Sequence, residues 1–64
     1  MNMKLYDIKL PAKVYCEVSD GSSYVIVDHL DGMYSYCETE KGGLVHLSVG
    51  TPLKEAGDGY EIRE

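Results

Sequence analysis

Residues 24–39 read Tyr24-Val-Ile-Val-Asp-His-Leu-Asp-Gly-Met-Tyr-Ser-Tyr-Cys-Glu-Thr39, and this stretch decides the fold. Two runs rich in β-branched and aromatic residues, a composition that favours strands, flank the pair Asp31-Gly32. Asp-Gly between strand-like runs is the strongest short-range hairpin signal, because a type I′ turn needs positive φ at both central residues. A two-residue loop at this point predicts the register. Leu30 faces Met33, Asp28 faces Ser35 and Ile26 faces Cys37 on one side of the ribbon. His29 faces Tyr34, Val27 faces Tyr36 and Val25 faces Glu38 on the other. Leu30, Met33, Ile26 and Cys37 form the expected core set. Val25, Val27, His29, Tyr34 and Tyr36 form the expected interaction face, since exposed aliphatic and aromatic side chains at that density call for a covering partner; the alternative is that the hairpin sits mid-sheet with Tyr34 and Tyr36 in the core.

Upstream, apolar residues recur at every second position: Tyr6, Ile8, Leu10, Ala12, Val14, Cys16 and Val18. That period marks strand with one buried face, and Pro11 on the outward phase predicts a kink between strands near 4–10 and 12–18. Ser19-Asp20-Gly21-Ser22-Ser23 is turn chemistry. Downstream, Glu40-Lys41-Gly42-Gly43 makes another turn, and 44–49 alternates with Val45, Leu47 and Val49 inward. Thr51-Pro52-Leu53-Lys54-Glu55 has a capping threonine and a proline suited to a first helical position, predicting a single 3₁₀ turn. After Gly57-Asp58-Gly59, Tyr60 and Ile62 make a last strand. The expectation is a single all-β domain over 1–64: a small antiparallel SH3-like or OB-like barrel of five to six short strands, with one 3₁₀ turn before the last. Leu5-Tyr6-Asp7 resembles the A-L-Y-D-Y opening of the SH3 peptide-binding domain over three residues. The chain has no tryptophan and lacks the Trp-Trp and Pro-x-x-Tyr elements that build that family's proline groove, so no family is assigned from it.

With 64 residues, there is room for one modest core of marginal stability. No apolar run is long enough for a membrane helix, and no apolar stretch follows Met1–Lys4 as in a signal peptide, so a cytoplasmic location is expected. A net charge of −5 argues against direct nucleic-acid binding, which needs basic clusters to neutralise phosphate.

Cys16 and Cys37 are expected to be reduced core thiols. A zinc set of Cys16, His29, Cys37 and His46 lacks any paired ligand spacing, so neither metal nor cofactor is expected. No serine sits in a glycine elbow, the Asp-Gly loops do not have the calcium-loop spacing, and 64 residues can hardly enclose a carboxylate-lined cleft. These readings predict a non-enzymatic interaction module, a regulator, inhibitor or accessory subunit, whose partner is another protein or a second copy of the chain. A small-molecule or nucleotide site and an acidic nucleic-acid mimic are the alternatives.

Overall fold

The computed structural model describes residues 3–63. Among them the strands are β1 (Met3–Lys4), β2 (Ala12–Tyr15), β3 (Tyr24–Asp31), β4 (Tyr34–Thr39), β5 (Leu44–Val45), β6 (Pro52–Ala56) and β7 (Gly59–Ile62). They form one open sheet in the order β1-β6-β7-β2-β3-β4-β5. All neighbours are antiparallel except β2 and β7, which run parallel with Val14 opposite Tyr60 and Tyr15 opposite Glu61. The all-β expectation holds, with seven strands in place of five or six.

The 3₁₀ turn lies at Leu5–Asp7, not at 51–55. The Asp7 carboxylate accepts the Lys4 N–H at 2.9 Å, and this local bond wins over extension of the strand to residue 10. The turn also reverses the phase: Leu5 is fully buried and Tyr6 is mostly exposed. Pro52–Ala56 is a strand because it pairs on both sides, with β1 through Met3–Leu53 and with β7 through Leu53–Ile62. Two ladders and the complete burial of Leu53 outweigh one helical turn, and proline is tolerated as the first residue of a strand.

The central hairpin departs from the expected register in two ways. Its two-residue loop is Gly32-Met33, closed by Asp31 opposite Tyr34. Of the loop residues only Gly32 has positive φ, +64°, which suits a type II′ turn with glycine first rather than type I′. Gly57-Asp58 repeats this arrangement between β6 and β7, with Gly57 at φ +55°. The second departure is a bulge. Val27 pairs with Cys37 but His29 pairs with Tyr36, leaving Asp28 as an extra residue in β3.

An unmatched residue reverses which side chains face inward beyond it. Before the bulge, Val25 and Val27 point into the core and are fully buried. After it, His29 and Asp31 share the opposite face with Tyr36 and Tyr34. The core holds Leu5, Val14, Val25, Val27, Cys37 and Leu53, with Ile8, Leu10, Cys16, Val45, Leu47 and Tyr60 among the side chains packed against it. Of the expected core set only Cys37 is buried; Ile26, Leu30 and Met33 are exposed.

Polar bonds tie the β2–β3 loop to the β4–β5 turn. Asp20 accepts the Ser22 N–H at 2.8 Å and the Thr39 hydroxyl at 2.7 Å. Thr39 Oγ1 in turn accepts the Gly43 N–H at 2.8 Å. The Ser22 and Thr39 hydrogen bonds hold the Asp20 carboxyl below its ordinary range.

Two tests follow from these contacts. A Cβ on Gly59 would fall well inside van der Waals contact with the Lys13 carbonyl of β2. Gly59→Ala should therefore destabilise by about 1–3 kcal/mol in urea unfolding, whereas Gly50→Ala should change stability by less than about 0.5 kcal/mol. Equal effects would mean that β7 does not lie so close to β2. For Asp20, a folded pKa below the unfolded one contributes stability that is present above the unfolded value and lost as pH falls through the folded one. Acid unfolding of Asp20→Asn should thus be less steep with pH than that of the native chain, and parallel pH profiles would contradict the assignment.

Candidate functional site

The bulge divides the expected interaction face in two. Val25 and Val27 belong to the core, so they leave the site, while His29, Tyr34 and Tyr36 remain together on the outer face. His46 joins them from beyond β5. The His29 ring stacks on Tyr36 with centroids 4.7 Å apart and planes at 16°. His46 meets Tyr36 edge-on at 4.8 Å and 86°. Tyr36 is therefore a half-buried ring held between two imidazoles, and Tyr34 beside it is 59% exposed.

Both imidazoles are oriented by hydrogen bonds. His29 Nδ1 lies 2.7 Å from the Asp28 carboxylate, so the bulged residue positions the ring that stacks on Tyr36. His46 Nδ1 lies 3.0 Å from the Ser35 carbonyl oxygen. A carbonyl can only accept, so Nδ1 carries the proton and in the neutral ring Nε2 is an acceptor. Ser35 itself is fully buried. Its hydroxyl accepts the Leu47 N–H at 3.1 Å, donates to the Leu47 carbonyl at 3.0 Å, and lies 3.2 Å from Cys37 Sγ. The Ser35 and Leu47 backbones are joined as well, N–H to carbonyl at 2.9 Å. Ser35 is thus a clamp that fixes the segment carrying His46, not a hydroxyl activated by it.

Asp31, Tyr34, Tyr36 and His46 line an open cleft of about 380 Å³. Leu44, across the ladder from Glu38 and two residues before His46, lies on the same face and is 66% exposed. The sequence pattern puts Asp31 in a turn and His46 on the outward phase of the alternating segment 44–49. Their approach depends on the shifted loop and on the continuation of β5, and neither leaves a mark in local composition.

The same outer face carries a second aromatic group that sequence reasoning also missed. Lys13 Nζ lies 4.3 Å from the centre of the Tyr24 ring and 4.9 Å from that of Tyr15. Tyr15 donates its hydroxyl proton to Asp58, whose other oxygen is 3.8 Å from Lys13 Nζ. The hydrogen bond from Tyr15 and, next, the charge of Lys13 hold the Asp58 carboxyl low. The shared phase of Lys13 and Tyr15 along β2 was a legible hint, but their meeting with Tyr24 and Asp58 is a product of the sheet order.

The cysteines and histidines considered together as metal ligands are separated by the sheet. Cys37 is buried in the core and half-buried Cys16 packs against it, both as free thiols, whereas His29 and His46 lie on the outer face. Burial and then the neighbouring Cys37 push the Cys16 thiol pKa up, which disfavours the reactive thiolate.

Ser35→Ala tests the clamp. It strands the Leu47 N–H inside the protein and should destabilise by about 1–3 kcal/mol, with loss of the ordered His46–Tyr36 ring-current shift in proton spectra. A neutral substitution with an unchanged His46 signal would contradict the role given to Ser35. No family model matches the chain, and neither a curated protein nor a solved structure matches it significantly, so the use of this face has to be read from its own residues.

Proposed function

We propose that this chain is a non-enzymatic protein-interaction module that docks through the outer face of β3, β4 and the segment after β5 onto a larger protein, as a regulator, inhibitor or accessory subunit. The observation that carries the reading is the exposure of Tyr34, 59%, in an aromatic cleft and of Leu44, 66%, on the same face. Rigid aromatic side chains with a polar tip give large contact area at low entropic cost. Two copies of a chain at −5 repel one another, which favours a different protein over a second copy as the occupant.

For the scaffold beneath this face we infer an SH3-like small barrel that stops short of closure. Val49 supports this reading: its N–H reaches the Met33 carbonyl at 2.9 Å, while its carbonyl accepts the Tyr6 N–H at 3.1 Å. One residue thereby ties the turn that follows edge strand β1 to the loop of the β3–β4 hairpin on the other side of the sheet order. The cleft volume also favours a second reading, a small-molecule site, since such pockets begin at about 300 Å³. It ranks lower because the cleft is open rather than enclosing, and the Asp31 carboxylate disfavours nucleotide phosphates.

The test is affinity capture from the producing cells with the native chain, a Tyr34→Ser/Leu44→Ser double variant and an Ile62→Ser control on distant β7. A discrete protein should be retained by the native chain and the control and lost by the double variant, with all three giving the same circular dichroism spectrum. Identical capture by all three would overturn the reading. Sedimentation showing a reversible dimer that the double variant disperses would assign the face to a second copy and overturn the choice of partner.

A further inference from the structure

We propose that the Asp31–Tyr34–Tyr36–His46 cleft receives a cationic side chain, arginine in preference to lysine, projected from a basic segment of the partner protein. The inference rests on the docking role argued above and names the chemistry that the docking face selects. Tyrosine rings present negative π faces that attract a cation within about 6 Å. Here the ring available to one is Tyr34, 59% exposed and directly across the ladder from the Asp31 carboxylate, since His29 already stacks on Tyr36. A planar guanidinium can stack on a ring while its N–H groups bind a carboxylate, which the point charge of lysine does less well. The Nε2 of neutral His46, made an acceptor by the bond from Nδ1 to Ser35, adds a further site for a donor.

The molecule carries its own precedent for this chemistry on the same face. Lys13 lies over Tyr24 and Tyr15 with Asp58 completing the group. There the chain supplies ring pair, carboxylate and cation together. At the Tyr34–Tyr36 cleft it supplies the exposed Tyr34 ring and a carboxylate, and among the described residues the lining contains no lysine or arginine. The net charge of −5 adds long-range attraction toward a basic segment.

The experiment is a two-dimensional amide NMR titration of the full chain with the peptide acetyl-Gly-Arg-Gly-amide, its lysine counterpart and its citrulline counterpart. Citrulline keeps the shape of arginine without the charge. The arginine peptide should give weak but saturable shifts confined to Asp31, Tyr34, Tyr36 and His46. Lysine should bind more weakly than arginine, and citrulline at least about fivefold more weakly, the ratio for about 1 kcal/mol. Asp31→Asn and Tyr34→Leu should each reduce affinity by a similar factor, with the rest of the spectrum unchanged as evidence of an intact fold. Equal binding of citrulline, or unsaturable shifts spread over the acidic residues of the whole surface, would overturn the proposal. If the peptides fail while capture remains sensitive to the Tyr34/Leu44 variant, the cationic occupant falls and the docking face stands. If capture also becomes insensitive, both fall.

Discussion

The extra residue Asp28 in β3 constrains both the interior and the outer surface of this small domain. A sheet side chain has a choice of two faces, and one unmatched residue exchanges them for everything beyond it. Without the bulge, the strand that buries Val25 and Val27 would carry His29 inward as well, on the same alternation. With it, the strand contributes two valines to the core at one end and an imidazole and a carboxylate to the solvent face at the other. Asp28 also bonds to His29, so the residue that causes the crossover orients the first side chain displaced by it. Bulges re-aim side chains in this way at functional positions.

Buried polar groups hold that geometry where a short chain has few apolar contacts to spare. Ser35 joins β4 to the segment after β5 through both its backbone and its hydroxyl, and its carbonyl fixes His46. Asp20 and Thr39 do the corresponding work at the other end of β4, joining two loops. Each of these buried hydroxyls has partners, as required when polar groups leave water. The cleft thus has a rigid floor, with Tyr36 set between two oriented rings. A preorganised aromatic surface loses little entropy on binding, which is where a small interaction module gains affinity.

Much of the fold was legible in the residues. The Asp31-Gly32 signal did mark the central hairpin, Val14 is in the core with Cys16 and Val18 packed against it, and Val45 and Leu47 of the later segment pack there too. The failures share one physical character, since each turned on a local bond or a long-range ladder that period counting does not register. A single carboxylate-to-amide bond from Asp7 ended the first strand. A glycine-first turn shifted the hairpin by one residue, and the bulge then restored part of the register from the far side. Pro52–Ala56 became a strand because β1 and β7 were both available to pair with it. Of the expected face, His29, Tyr34 and Tyr36 were identified correctly as neighbours on one surface. Val25 and Val27 were assigned to it by an alternation that the bulge interrupts, and Asp31 and His46 could be added only once the ladder was known.

The most direct test of the account is the cross-strand pattern of nuclear Overhauser contacts along β3 and β4. Contacts should pair Val27 with Cys37 and His29 with Tyr36, with Asp28 lacking a partner across the ladder. An uninterrupted register pairing Val27 with Tyr36 and Val25 with Glu38 would contradict it. That register would put Val25, Val27 and His29 on one and the same face and dissolve the cleft.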